Sequence, residues 1–352
     1  MPLIRDFGFA PGRLPPGPRN TLADLPGVTV GHHTIRSGGH NTGVTVILPR
    51  PDIFFHKCTA AAAVINGYGK TAGLVQLQEL GQLETPIALT NTLNVGLVSD
   101  ALVQYTADAC AARGVPLRSV NPVVGECNDS VLNNIVERVV GRQQVFDAIA
   151  AASSDFAQGC VGAGAGMICH ELKGGIGSAS RLVGAGGRTF TVGVLALCNH
   201  GRLEELNILG CRPGEAIRAR QAARPRGEDA GSCILVLGTD LPVSSRQLGR
   251  VTRRCAVGLA RVGSYWGHGS GDIAIGFTTA HDLSGDDPVI RDRPCLREDC
   301  LEPAFQAAAE AAEEAVLNAL AAAVPTVGYD GTLCHALCEY RDLLRPAPVP
   351  QR

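Results

Sequence analysis

Aromatic residues are scarce in this chain of 352 residues, at 4% with a single Trp, and charged residues make up only 18%. The net charge of −2 leaves no excess of either sign, which excludes a general electrostatic pull toward nucleic acid or an anionic membrane surface. No apolar run reaches the roughly 18 to 20 residues that a membrane span needs. The opening Met1-Pro-Leu-Ile-Arg-Asp-Phe-Gly lacks the basic-then-apolar pattern of a signal peptide. A cytoplasmic protein is the resulting expectation. Nucleotide fingerprints are also missing. Gly162-Ala-Gly-Ala-Gly-Met alternates its glycines, where a dinucleotide site needs G-x-G-x-x-G. Asn66-Gly-Tyr-Gly-Lys-Thr ends like a phosphate loop, but Val64 stands where the first Gly of that motif belongs.

Small residues take the place of the missing aromatics. Hydrophobic residues make up 45% of the chain and Gly accounts for 43 positions, so the core is expected to be built from Ala, Val, Leu and Ile with many tight turns. The 13 cysteines are odd in number and mostly lie in apolar surroundings, as at Cys110, Cys198, Cys233 and Cys255. Reduced, buried thiols are the expectation. The closer pairs Cys295/Cys300 and Cys334/Cys338 do not repeat a C-x₂-C spacing, so no metal and no cofactor is expected.

Along the chain, residues 1–25 are rich in Pro, Gly and Arg and read as a surface wrap. Gly27–Thr34 alternates as a strand, and Gly43–Pro49 reads as a second strand closed by its proline, the two forming a hairpin. His32 and His33 point to opposite faces of the first strand and read as structural. Further strands are expected at Ala60–Ile65, Pro86–Thr92 and Thr189–Cys198, and helices at 97–113, 131–153 with a break near Gly141, 244–263 and 301–324. The last helix carries an apolar stripe of Leu301, Phe305, Ala309, Ala312, Val316 and Leu320. Packed sheets covered by helices follow from this pattern, without a regular βαβ series and without a domain boundary.

Four places carry chemistry. Glu126 follows an apolar run directly. Asn199 lies at the end of a core strand. Ser270 and Asp272, two residues apart at a strand start, share a face. The charged stretch 213–230 reads as an exposed linker leading to Gly231-Ser232 and the apolar run Cys233–Leu237. Read locally, Glu126 is a solvated loop carboxylate, Ser270 and Asp272 a polar strand end, and Gly231-Ser232 a turn. The alternative for the last is self-cleavage, after which Ser232 would be a nucleophile with its own α-amine as base.

The ordered set Leu25-Pro-Gly-Val-Thr-Val-Gly-His, Asn66-Gly-Tyr-Gly, Pro86-Ile-Ala-Leu-Thr-Asn-Thr, Val123-Val-Gly-Glu, Ser178-Ala-Ser-Arg, Gly231-Ser232, Gly238-Thr-Asp240 and Gly269-Ser-Gly-Asp272 resembles the L-aminopeptidase/D-esterase family, also called β-peptidyl aminopeptidases. The resemblance covers nearly the whole chain. It implies an α/β protein with a four-layer αββα sandwich, one domain over 1–352, self-cleaved into 1–231 and 232–352. It implies a homo-oligomer, often a tetramer, acting on small peptides, amides or esters with a free amine.

By the same resemblance Ser232 is the nucleophile and Asn199 the oxyanion-hole amide, worth roughly 3 to 4 kcal/mol in comparable hydrolases. Ser270 and Asp272 orient the nucleophile, with Asp272 where some members carry Glu. Glu126 holds the substrate ammonium. Asn128 stands where close relatives carry an active-site tyrosine, a departure that bears on substrate range. Two other functions compete with this one. The first is an amidase for ω-amino-acid oligomers, a branch that uses threonine as nucleophile. The second is an uncleaved binding protein.

Overall fold

Alternating and β-branched segments from both halves of the chain form two large sheets, beside two small two-stranded ones, in the computed structural model, which describes residues 1–221, 231–284, 289–290 and 292–345. The first half supplies β1 (Thr29–Ile35), β2 (Thr42–Leu48), β3 (His56–Gly67), β4 (Gln82–Leu83), β5 (Ile87–Asn91) and β6 (Val123–Cys127). Helices α1 (Leu74–Leu80), α2 (Val95–Ala112) and α3 (Arg142–Ala150) accompany them. Then come the short β7 (Ile168–Cys169) and β8 (Leu172–Lys173), and the long β9 (Gly175–Ala185) and β10 (Arg188–Asn199). After α4 (Gly214–Arg220) follow β11 (Ser232–Thr239), α5 (Ser245–Thr252), α6 (Cys255–Val262), β12 (Gly271–Ser284) and α7 (Glu302–Ala321).

One sheet has the order β1-β2-β5-β6 and the other β4-β3-β12-β11-β10-β9. Strand alternation sends Ile47, Ile87, Leu89 and Val123 of the first sheet against Leu195, Leu197, Ile234, Val236 and Ile275 of the second. The outer face of the first sheet packs Val44, Val46, Ala88 and Val124 on α2 and α3 through Val98, Ala101, Leu102, Val145 and Ala148. The outer face of the second packs Ala179, Val194, Ala196, Cys233, Leu235 and Leu237 against α5, α6 and α7. These are four layers, αββα, as the resemblance implied. Each fully buried Leu, Ile or Val contributes about 1.5–3 kcal/mol.

The scarcity of aromatics has a direct packing consequence on the outer face. A Cβ on Gly177 of β9 would lie 1.8 Å from the Ala315 carbonyl, and one on Gly258 of α6 would lie 2.6 Å from the Ala312 methyl. α7 therefore approaches both neighbours at backbone distance.

Several elements depart from the sequence reading. α7 carries no single stripe, because residues 307–321 are buried all round the helix. Its buried polar side chains are matched. Glu314 pairs with Arg181 at 2.7 Å and with Arg5 at 2.5 Å. Asn318 accepts from Ile4 N–H at 3.0 Å and donates to the Ser178 carbonyl at 2.9 Å. The N-terminal segment is thus anchored into the core rather than wrapped over it, with Ile4, Phe9, Leu22 and Leu25 buried. The helix expected over 244–263 is two, α5 and α6, and Ser244 caps the first by accepting from Gln247 N–H at 3.3 Å. Of 131–153, residues 135–137 form a 3₁₀ turn and 142–150 the helix α3, which starts after the expected break at Gly141, and the Asp129 carboxylate, bonded to Thr42 and Asn133, anchors the turns before them. Within the charged stretch, 214–220 is the helix α4, while 222–230 lies outside the described residues. No helix among the described residues is long and apolar enough to cross a membrane.

Candidate active site

Sheet register brings the chemistry-bearing positions together. Antiparallel pairing of β10 with β11 sets Asn199 opposite Ser232. Parallel pairing of β11 with β12 sets Ser232 opposite Gly271 and Cys233 opposite Asp272. Ser232 shares the inner face with Ile234 and Val236, so its hydroxyl points toward the first sheet, where β6 carries Glu126 and Cys127. Ser232 is buried, with 7% of its surface exposed.

Ser232 Oγ has one hydrogen-bond partner among the described residues, the Gly271 N–H at 3.3 Å. The same N–H donates to the Gly231 carbonyl at 3.2 Å. The oxygen of the Gly231–Ser232 peptide and the hydroxyl beside it therefore converge on one donor. Both glycines are required by space. A Cβ on Gly271 would lie 2.7 Å from Gly69 Cα and 3.1 Å from Ser232 Oγ, and one on Gly231 would lie 2.0 Å from the Asn199 carbonyl.

Asn199 is held at both ends. Its Oδ1 accepts from Ile168 N–H at 2.8 Å and its Nδ2 donates to the Asn128 carbonyl at 3.0 Å. An amide nitrogen carries two hydrogens, so one remains for a further acceptor. Asn128 contributes through its backbone. Its side chain is exposed and accepts from Ser130 N–H at 2.9 Å.

Glu126 is buried, with 2% exposed, contrary to the solvated-loop reading. Its Oε1 accepts from Lys70 N–H at 2.7 Å and its Oε2 from the Thr92 hydroxyl. Each oxygen keeps acceptor capacity for a cation. Lys70 and Thr92 were not singled out from sequence. The failed phosphate-loop motif was the available signal, since Asn66–Thr71 runs past both Gly271 and Glu126. Asn66 Nδ2 shares its two hydrogens among the Gly267, His268 and Ser270 carbonyls and so fixes the approach to Gly271.

Ser270 and Asp272 flank Gly271 and are both buried. Ser270 Oγ has no hydrogen-bond partner among the described residues. Strand alternation puts Asp272 on the Cys233 side of the sheet with Ala274, not on the Ser232 side. Burial, with the Asp272 charge adding to it, pushes the Cys233 thiol up. Burial, with Glu126 adding to it, does the same to Cys127, whose Sγ lies 3.3 Å from the Ser232 carbonyl. These thiols stay protonated and inert. His32 is tied to Thr45 Oγ1 at 2.9 Å and to the Ala157 carbonyl at 3.1 Å, a structural arrangement.

Residues 20–334 match the model of peptidase family S58. The chain is 36% identical over 352 residues to the β-peptidyl aminopeptidase BapA of Sphingosinicella xenopeptidilytica, covering 93% of this chain and 86% of that one. Among solved structures, the PH0078 protein of Pyrococcus horikoshii OT3 superposes with a TM-score of 0.91 at 43% identity, covering 97% of this chain and 98% of that one. The L-aminopeptidase D-Ala-esterase/amidase of Ochrobactrum anthropi, a serine aminopeptidase with a variant of the Ntn-hydrolase fold, superposes with a TM-score of 0.89 at 34% identity, covering 97% of each chain.

Proposed function

This chain belongs to peptidase family S58 and is a serine-type aminopeptidase of the N-terminal-nucleophile kind, and we propose that it cuts its own Gly231–Ser232 bond and uses Ser232 as the nucleophile. The observation that carries the proposal is the shared donor. Gly271 N–H contacts both the Gly231 carbonyl and Ser232 Oγ. As Oγ adds to the Gly231 carbon, that N–H faces the oxygen on which charge develops. The C–N bond breaks, the nitrogen takes up a proton to become the α-amine, and water hydrolyses the resulting ester. The products are chains 1–231 and 232–352.

In turnover the Ser232 α-amine accepts the hydroxyl proton as Oγ attacks the substrate carbonyl. An α-amine with a pKa of about 7.7–8.0 is suited to a base near neutrality. The free Nδ2–H of Asn199, one register step across the sheet, stabilises the oxyanion. The amine product leaves and water releases the acyl group. Ser270 and Asp272 act by bracketing Gly271 and fixing its N–H. Glu126, presented by Lys70 and Thr92, binds the substrate's free ammonium. Substrates are short peptides, amides or esters with a free amine, and the β-peptides and D-alanyl esters and amides named for the relatives are the first to try. A homo-oligomer, by analogy a tetramer, is the proposed assembly.

The test compares one peptide amide with its N-acetylated form. Hydrolysis of the free amine alone is expected, and equal rates on both would overturn the role of Glu126.

A further inference from the structure

Behind Asn199, on the side away from Glu126, lies a cluster that the hydrolytic chemistry does not use. Cys169, His170 and His200 are each at least 98% buried, and one ligand atom from each lies within 4.8 Å of the others. Both ring nitrogens of His200 are buried without a hydrogen-bond partner among the described residues. A buried polar atom left in that state costs about 1–3 kcal/mol, so two on one ring call for an explanation.

His170 Nδ1 lies 2.8 Å from the Arg202 carbonyl. A carbonyl only accepts, so Nδ1 carries a hydrogen. Metal-binding imidazoles are oriented in this way by a carbonyl on the far nitrogen. The two rings stand edge to face with centroids 5.5 Å apart. The backbone is fixed around them. His170 N–H donates to the His200 carbonyl at 2.7 Å, and His170 and Glu171 take left-handed φ of 49° and 58°. Gly201 is obligatory here, because a Cβ would lie 2.5 Å from the His170 ring.

We propose that Cys169, His170 and His200 form a buried transition-metal site for zinc(II). One thiolate and two imidazoles make a borderline-soft donor set that suits zinc. Bonds of about 2.3 Å to sulfur and 2.0–2.1 Å to nitrogen at tetrahedral angles bring the ligand atoms to roughly 3.3–3.7 Å of one another. Side-chain rotation of about 1 Å closes the present spread. Binding releases one proton, from the Cys169 thiol, and leaves the fourth coordination position to a water or other donor. Sequence spacing does not reveal the site, since Cys169 and His170 are adjacent and His200 comes thirty residues later.

The metal would tie β7 to the end of β10. Ile168, next to Cys169, donates to Asn199 Oδ1, and His200 follows Asn199 directly. Granting Asn199 its oxyanion role, the ion is a positioning device for that amide. Its binding is independent of that role.

The experiment uses the full chain with Cys295→Ser and Cys300→Ser, which removes the exposed thiol and its half-buried neighbour, reduced, stripped of metal and reloaded with zinc. After gel filtration, roughly one zinc per chain is expected, falling at least tenfold in Cys169→Ser and in His200→Gln. Zinc is expected to raise Tm by several degrees in the parent and not in the variants. Because a variant can misfold, the parent is also titrated with cobalt(II), where a thiolate-to-cobalt charge-transfer band and tetrahedral d–d bands are expected. Zinc retention equal in parent and folded variants, or a cobalt complex lacking the thiolate band, would overturn the site, whatever the hydrolytic activity.

Discussion

The two sheets meet at the active site with different degrees of preparation. On β6 of the four-stranded sheet, Glu126 is held through both oxygens by donors from separate loops. On β11 of the six-stranded sheet, Ser232 Oγ has a single hydrogen-bond partner among the described residues, a backbone N–H that also serves the preceding carbonyl. In the proposed mechanism the substrate-binding side is complete while the Gly231–Ser232 bond is intact, whereas the nucleophile side is arranged for that bond and gains its base only when the bond is cut. That mechanism assigns binding and chemistry to different layers, which makes them separable by substitution.

Removing the nucleophile gives the largest effect. Ser232→Ala is expected to lower kcat by a factor on the order of 10⁴ or more, with the chain remaining a single species. Asn199→Ala removes the oxyanion amide, and kcat is expected to fall by about 10²–10³ with KM little changed. Glu126→Gln keeps the shape and removes the charge. A charged hydrogen bond contributes about 1.5–3 kcal/mol, so kcat/KM for free-amine substrates is expected to fall by roughly 10- to 100-fold, mainly through KM. If Asn199→Ala changed KM and Glu126→Gln changed kcat, the division between the sheets would be wrong.

The smallest effect sharpens the structural side. Burial pushes the His32 imidazole down from 6.5 to about 4. The unfolded chain then binds the proton first as pH falls, so this group costs stability progressively from pH 6.5 toward pH 4, by about 3 kcal/mol in full. Asp129, pushed up by burial to about 6, tilts stability the opposite way over the same range. The difference between the parent and His32→Gln isolates the histidine. Tm is expected to fall less in the variant between pH 7 and pH 4.5, and parallel curves would remove His32 from the account.

Much of the architecture was legible in sequence because strands declare themselves by alternation. β1, β2, β5, β10 and β11 lie close to where the pattern put them. The helices were less legible where tertiary burial overrode amphipathicity. α7 buries Glu310, Glu313, Glu314 and Asn318 along with its alanines, so no stripe marks its face. For the site, the family resemblance named Ser232, Asn199 and Glu126, where a local reading gave a turn, a strand end and a loop carboxylate. Their meeting depends on register, and register joins positions far apart in the chain. The contributions of Gly271 N–H and Ile168 N–H were invisible, since every non-proline residue has that donor and only the fold aims it.

The most direct measurement is intact-mass analysis with N-terminal sequencing of the purified active protein. Two chains are predicted, 1–231 and 232–352, the second beginning Ser-Cys-Ile-Leu, with Ser232→Ala remaining whole. An active enzyme that stays a single uncut chain, or one cut at a different bond, would contradict the account.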